Sequence, residues 1–231
     1  MMNDLGFKTY LPFIWQNNGQ YLNDNATKCM LDQQEVIEAI EWVKSLYTEY
    51  GIMPPLEKIN EGTLPIVGML NSGTIAMGRV ALWESLQLKD SDVLEWKIMP
   101  APYNEGGRGE ILYINTLGVS SKSENKEAAM DFLLFVSGPE GERILLENTS
   151  DPQIACRKSL KDVAIAPLPE GKNAEVYMES LEYCRWMPNV LTVNDQLTTV
   201  TKGLDRIWYS NEPVDKVMAD ITKQVNELLS E

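Results

Sequence analysis

The stretch GVSSKSENKEAAMDFLLFVSGPEGERIL, residues 118 to 145, decides the fold class of this chain. It begins inside a strand candidate, ILYINTLGVSS at 111–121, in which β-branched and aromatic residues lie between turn residues. The apolar spacing that follows predicts a helix from about 124 to 136, capped by Ser123. A second helix is expected to begin at Pro139. A strand that leads into two helices is typical of an α/β protein.

The same alternation of helices and strands extends to both sides of this stretch. Asp32 and Glu35 have the spacing of a capping box, which predicts a helix that ends near Gly51. The segments TIAM at 74–77 and WKIMPAP at 96–102 are strand candidates, and NEGGRGE is typical of a surface hairpin loop. Two helices separated by the turn SNEP close the sequence. We therefore predict an α/β fold throughout.

The charge of the chain limits its partners. Lys and Arg number 20 against 34 Asp and Glu, which gives a net charge of -14. Such a chain repels the phosphates of nucleic acids and anionic membrane surfaces. We expect no nucleic-acid partner. We also expect no membrane helix and no signal peptide, because no apolar run is long enough and the start of the sequence lacks a basic end and a cleavage site.

The sequence contains no histidine, which removes several classes of enzyme and metal site. The three cysteines lie far apart, so they indicate neither a disulfide framework nor a zinc site. We expect no catalytic residue, no metal and no cofactor. A glycoside-processing enzyme, which needs only two carboxylates, is the alternative. Its candidate residues, none of which lies in a pattern that implies a tuned pKa, are Glu84, Glu95, Glu110 and Asp195.

The order of these elements resembles a known family. The segments WQNNG, LNSGTIAMGRVALWES, WKIMPAP, IACRKSL and RWMPN occur in sequence, with the opening stretch between the third and the fourth. This order is similar to that of the extracellular solute-binding proteins of sugar-type ABC importers, the maltose-binding-protein-like family. The most specific segments are 71–83 and 118–146.

The resemblance implies a periplasmic-binding-protein-like fold of two α/β lobes with a ligand cleft between them. It implies that residues 1–112 and 166–231 belong to the second, C-terminal lobe. Residues 113–165 would be a crossover segment of the first lobe. Most of the N-terminal lobe has no counterpart in this sequence, so we expect a truncated solute-binding protein.

The resemblance also implies a set of ligand-binding residues. In this family an aromatic side chain after the "A-M" segment stacks on a sugar ring, whose C–H face is apolar. Trp83 matches that position, although a large aromatic residue can equally pack against a neighbouring helix. The full set of expected ligand-binding residues is Trp83, Glu84, Trp186, Asn189, Tyr10, Trp15 and Asn17.

The function implied by the resemblance is carbohydrate (oligosaccharide) binding for an ABC importer, without catalysis. The partners would be a small-molecule sugar and the importer's membrane subunits, and the location would be extracytoplasmic. A structural or assembly fragment without a ligand is a further alternative. The crossover segment carries more apolar surface than its own strand and helices can bury, so we expect a homodimer through residues 113–146.

Overall fold

The computed structural model describes residues 7–54, 66–88, 95–149, 153–188 and 190–230. Its helices are α1 (Phe7–Gln16), α2 (Gln34–Thr48), α3 (Ile66–Asn71), α4 (Leu82–Ser85), α5 (Lys126–Val136), α6 (Pro139–Asn148), α7 (Lys161–Ile165), α8 (Val176–Glu179), α9 (Val193–Ser210) and α10 (Val214–Leu229). Its strands are β1 (Tyr103–Asn104), β2 (Gly107–Arg108), β3 (Glu110–Ile111) and β4 (Cys184–Arg185). Helices joined to short strands, one pair of them parallel, confirm the predicted α/β class. Within the described ranges, no helix is long and apolar enough to cross a membrane.

The two C-terminal helices form the hairpin that the sequence predicts. Val200 and Leu204 of α9 and Val217 and Ile221 of α10 are almost fully buried, so the two apolar stripes face each other. Asn211 adopts a left-handed conformation, with φ of 52°, at the end of α9. Asparagine tolerates this conformation, which ends the first helix and allows the second to begin.

Helices α1 and α2 cover this hairpin and complete the main core. Phe7, Leu11 and Ile14 follow one face of α1 and are buried. Val36 and Ile40 do the same on α2. All five belong to the same buried cluster as the hairpin side chains. This core supports the loop that follows α1 and the loop that precedes α9.

The start of α2 differs from the predicted capping box. The helix is preceded by Gln33 as its N-cap, with no side-chain hydrogen bond to the cap. Asp32 lies one residue too early to reach the first free amides, and Glu35 occupies the second helical position instead of the third. The end of the helix also comes earlier than the apolar pattern suggests, which leaves Tyr50 exposed beyond it.

The helices of the opening stretch are present, with one shifted boundary. The N-cap of α5 is Asn125 and not Ser123, whose hydroxyl instead accepts a hydrogen bond from the Asn125 amide at 3.2 Å. Pro139 begins α6 as predicted, where a missing backbone N–H costs nothing. None of the side chains of α5 is buried, and Phe132 is 67% exposed. This helix therefore lies outside every buried cluster of the described residues.

Two of the three predicted strand segments are wrong. Residues 74–77 and 96–102 form no strand, although Ile98 donates one backbone hydrogen bond to the Lys172 carbonyl at 2.9 Å. A strand needs a neighbour that continues the ladder, and none is described beside either segment. The prolines at 100 and 102 also remove two donors.

Three of the short strands lie in or beside the glycine-rich loop NEGGRGE and at the start of the predicted strand 111–121. β1 and β2 form the predicted antiparallel hairpin, in which Gly107 has a φ of +83°. β3 contains only the first residue of the predicted 111–121 strand. It pairs in parallel with β4, and Ile111 lies opposite Arg185. The boundaries of the three expected regions, at 112/113 and 165/166, remain a prediction.

Candidate functional site

Two exposed aromatic side chains follow the parallel strands β3 and β4. The Leu112 amide donates to the Arg185 carbonyl at 2.9 Å and makes the last rung of the ladder. Tyr113 comes one residue later and is 59% exposed, while Trp186 directly follows β4 and is 68% exposed. Parallel strands end at the same edge, and ligands of open α/β sheets bind outside the carboxyl ends of the strands. This edge is therefore the first element of the candidate site.

Trp83 lies on the short helix α4 and is its second element. Its neighbours Leu82 and Ser85 are buried and fix the helix, whereas the Trp83 side chain is 45% exposed. A carboxylate oxygen of Glu84 accepts a hydrogen bond from the Ala81 amide at 2.7 Å and so caps the first turn. The helix presents an indole ring to solvent on a fixed base.

A buried tyrosine joins these two elements. The Tyr177 hydroxyl lies within hydrogen-bond distance of the Val80 carbonyl, at 3.2 Å, and the Ala81 carbonyl, at 3.3 Å. Burial raises the pKa of Tyr177 to about 12, so the hydroxyl keeps the proton that it donates. Tyr177 belongs to α8, from which the chain runs through the turn Ser180–Glu182 into β4 and Trp186. Trp83 and Trp186 thus project from segments that share one anchor.

Arg79 fixes the Trp83 segment to the strands. Its guanidinium pairs with the Glu110 carboxylate of β3 through two nitrogens, and its third nitrogen donates to the Thr9 carbonyl of α1 at 3.2 Å. Glu110 also accepts from the Ile111 amide at 2.9 Å. The ion pair is partly buried and bidentate, which is the geometry in which Arg and carboxylate bind most specifically. It holds 71–85 beside the sheet edge.

Tyr10 and Trp15, both expected to bind ligand, lie in the core. Tyr10 is fully buried and stacks on Trp208 with ring centroids 5.2 Å apart. Trp15 is also buried, and the Arg185 guanidinium lies 5.7 Å from its ring. Neither ring is presented to solvent, so the structure does not bring them together with the exposed tryptophans. Trp15 instead supports the arginine that precedes Trp186.

Asn17 links three parts of the fold through its side chain. Its amide nitrogen donates to the Glu35 carbonyl at 2.8 Å, and its amide oxygen accepts from the Asn104 side chain at 3.1 Å. Both ends of the Asn17 amide are therefore occupied by protein groups. Asn189, the last of the expected residues, lies outside the described residues.

Three of the four carboxylates considered for glycoside chemistry have structural positions in the fold. Glu84 caps α4, whereas Glu110 is neutralised by Arg79. Asp195 lies in the first turn of α9, where a negative charge is favoured by the helix dipole. Among the described residues there is no group of three or more Cys, Asp or Glu that could hold a metal ion.

Sequence reasoning missed Tyr113, and it missed the cations that lie over the rings of Tyr113 and Tyr103. Lys8 lies with its Nζ 5.7 Å from the centre of the Tyr113 ring, and Arg108 lies 5.0 Å from the Tyr103 ring. Tyr113 follows β3 directly, so an aromatic residue at the end of a predicted parallel strand was the available signal. Lys8 and Arg108 gave no signal, because only the fold places them beside the aromatic rings.

Comparison with known proteins identifies the family. Residues 4–143 match the bacterial extracellular solute-binding proteins. The chain belongs to this family. The resemblance stated from the sequence order is thereby confirmed. No curated protein sequence matches the chain.

Solved structures of solute-binding proteins share the fold. An ABC substrate-binding protein from Listeria monocytogenes, in complex with cycloalternan, has a TM-score of 0.84 at 21% identity, over 98% of this chain and 57% of its own. Maltose-bound MalE3 from T. maritima has a TM-score of 0.74 at 15% identity, over 96% and 57%. UgpB from Mycobacterium tuberculosis, in complex with glycerophosphocholine, gives 0.70 at 15% identity, over 96% and 55%. The chain thus spans a little over half the length of these solute-binding proteins, and the predicted periplasmic-binding-protein-like fold is confirmed.

Proposed function

We propose that this chain is the carbohydrate-binding part of a solute-binding protein that delivers an oligosaccharide to the membrane subunits of an ABC importer outside the cytoplasm. The observation that carries the proposal is the pair of exposed tryptophans, Trp83 and Trp186, on segments anchored by Tyr177. Two solute-binding proteins of the same fold were solved with cycloalternan and with maltose. Their ligands support an oligosaccharide as the class of ligand here.

The exposed indole rings suit a sugar for a physical reason. One face of a pyranose ring is made of C–H groups, which stack on an aromatic ring, while its hydroxyls require hydrogen-bond partners. A large exposed aromatic side chain on a rigid base loses little conformational entropy on binding. Trp83 and Trp186 are both exposed, and both follow segments that the fold anchors. Asn189 remains a proposed hydrogen-bond partner for a sugar hydroxyl. Glu84 can accept a hydrogen bond from a sugar hydroxyl only in addition to the one from the Ala81 amide that caps α4.

The proposed activity is capture without a chemical step. Glu84 and Glu110, two of the four glycosidase candidates, both serve as local anchors. A general acid must lie within hydrogen-bond reach of the glycosidic oxygen, and these two carboxylates are held by other protein groups. Incubation with oligosaccharides should release no product. A product that disappears on Glu110→Gln would favour the glycoside-processing alternative.

The test of binding is a titration with cycloalternan and maltose, followed by calorimetry and tryptophan fluorescence. We expect Trp83→Ala and Trp186→Ala each to weaken binding by about 1 to 3 kcal/mol, or roughly 5- to 150-fold in Kd. The matched control is Trp42→Ala, because Trp42 is 51% exposed but lies on α2, against Phe13. An unchanged Kd in both test variants, or an equal loss in the control, would contradict the proposed site.

We further propose that the chain forms a homodimer through residues 113–146. Nine large apolar side chains of this segment are exposed: Tyr113, Ile114, Leu117, Met130, Phe132, Leu134, Phe135, Ile144 and Leu145. At roughly 100 Å² each they leave on the order of 900 Å² of apolar surface on this segment, against roughly 300 to 600 Å² for the largest single patch of a typical monomer. A standard interface buries about 800 Å² on each partner. A second copy of the chain offers an apolar surface of the same area.

The dimer has a direct test in solution. Light scattering should give twice the chain mass of 26.1 kDa, and Phe132→Asp should shift that mass towards the monomer. Leu191→Asp is the control, since Leu191 is fully exposed but lies outside the segment. A monomer of the unmutated chain at high concentration would overturn the dimer while leaving the carbohydrate site intact.

A further inference from the structure

Three cationic side chains lie on α1, β2 and β4, the elements that form or adjoin the candidate site. We define Lys8, Arg108 and Arg185 as the cationic strip. Each charge lies over an aromatic ring, at 5.7 Å for Lys8 on Tyr113, 5.0 Å for Arg108 on Tyr103 and 5.7 Å for Arg185 on Trp15. A ring holds a cation in place by its quadrupole without neutralising its charge. The strip is therefore ordered and still able to bind an anion.

The members of the strip are linked through the elements that support them. Trp15, beneath Arg185, packs so closely on Gly109 that a Cβ there would lie 3.1 Å from the Trp15 Cβ. Gly109 directly follows Arg108 in the chain. Lys8 precedes Trp15 by two turns of α1, about 10 Å along the helix axis. The ring under Lys8 belongs to the segment that continues β3, next to Arg185 on β4.

The described part of the chain supplies no carboxylate for these cations. Its ion pairs engage four other arginines, namely Arg79, Arg143, Arg157 and Arg206. Glu110, which adjoins the strip on β3, is already paired with Arg79. Acidic residues outnumber basic ones by 34 to 20, so a carboxylate for each cation would be easy to supply. Within the described residues the three cations of the strip have no carboxylate partner, which leaves them available to an anion from outside.

We infer that the ligand is a carbohydrate that carries a carboxylate or a phosphate group, an inference that rests on the proposed function. Trp186 directly follows Arg185 in the chain and is exposed, and the exposed Tyr113 has Lys8 over its ring, so an oligosaccharide that spans this edge has both cations in its surroundings. The planar guanidinium matches carboxylate and phosphate oxygens in a bidentate manner. Lys8 adds a second charge at the same edge. A neutral sugar would leave these charges without a partner.

The experiment compares matched neutral and charged sugars by calorimetry. Glucose is compared with glucuronate, and maltose with maltose 1-phosphate, so that the two sources of charge are separated. A charged hydrogen bond contributes about 1.5 to 3 kcal/mol, so we expect at least one charged sugar to bind roughly 10-fold or more tightly than its neutral counterpart. Arg185→Gln and Lys8→Gln should each reduce that ratio, and Arg185→Lys should retain part of it. Lys172→Gln, which removes a cation 4.9 Å from Trp96 outside the strip, should leave the ratio unchanged.

The outcomes separate this inference from the proposed function. Equal binding of neutral and charged sugars overturns the inference and leaves carbohydrate binding intact. Binding of no sugar of either kind overturns the proposed function. Inorganic phosphate that binds as tightly as maltose 1-phosphate overturns the inference in another way, since the strip would then be a simple anion site. Lys8→Gln keeps the test valid if Arg185→Gln fails to fold, because Lys8 is exposed.

Discussion

Gly203 marks the closest approach of the C-terminal helices and provides a sharp test of the fold. It is buried on α9 and faces Ile221 on α10. A Cβ at this position would lie 2.4 Å from the Cγ1 atom of Ile221 and 2.5 Å from its Cδ1 atom. A β-branched side chain in a helix has one strongly preferred rotamer, so Ile221 cannot turn aside without loss. Gly203→Ala therefore forces the two helices apart.

The magnitude follows from two opposing effects. Alanine in place of glycine in a helix interior stabilises by about 1 kcal/mol. Overpacking of a well-packed core costs about 1 to 3 kcal/mol, and contacts this short belong at the upper end. We expect Gly203→Ala to lower the free energy of unfolding by about 2 kcal/mol. The sign is opposite to that of the same substitution in an uncrowded helix.

Urea unfolding followed by circular dichroism measures this change, and Ile221→Ala completes a double-mutant cycle. Alone, Ile221→Ala should cost about 2 to 5 kcal/mol for the cavity that it leaves. Combined with Gly203→Ala it removes the clash of about 3 kcal/mol, so the double variant should lose about 3 kcal/mol less than the sum of the two single changes. A Gly203→Ala chain as stable as the wild type, or strict additivity, would refute the packing.

The remaining predictions concern binding, assembly and acid stability. Trp83→Ala should weaken oligosaccharide binding by roughly 5- to 150-fold in calorimetry, without a change in the unfolding midpoint. Phe132→Asp should lower the mass measured by light scattering, or cause aggregation, while the helix content stays the same. Hydrogen bonds from Arg206 lower the pKa values of Glu212 and Asp220, so this network stabilises the fold above their unfolded pKa values and the benefit disappears as the pH falls through the folded ones. Arg206→Gln should therefore lower the urea midpoint at neutral pH, and this loss should shrink as the pH falls through the folded pKa values of the two carboxylates.

Helix positions could be predicted wherever an apolar stripe was long. The spacing of Val200 and Leu204, or of Val217 and Ile221, depends only on the local helix period, and the structure buries all four. The start of α2 could not be fixed in the same way. A cap depends on the placement of single residues, and a shift of one position takes Asp32 out of reach of the free amides.

The short strands could not be predicted because their partners are distant in the chain. β3 depends on the arrival of Cys184 and Arg185 beside it, after four helices and several turns. The local pattern of 74–77 and 96–102 is equally strand-like, yet no described strand lies beside either segment. Strand propensity describes a side chain that fits a pleated surface, and it cannot supply the second strand.

The candidate site could be predicted in part. The family resemblance drew attention to Trp83 and Trp186, and both are exposed. It also drew attention to Tyr10, which is buried in the core. The pattern of Phe7, Tyr10 and Ile14 has the spacing of a helix face, but Pro12 inside the segment hides the helix from a reading of propensity.

Exposure of a tryptophan is not enough to identify a site in this chain. Trp42 is as exposed as Trp83, but it lies on the outer face of α2 with Phe13 as its aromatic neighbour. Trp83 differs because Tyr177 and Arg79 bind its segment to the elements that carry Trp186 and the cationic strip. Both anchors are partly buried polar contacts, whose geometry is more restrictive than apolar packing. Trp83 therefore differs from Trp42 in how its ring is held, and the matched substitution of Trp42 tests that difference directly.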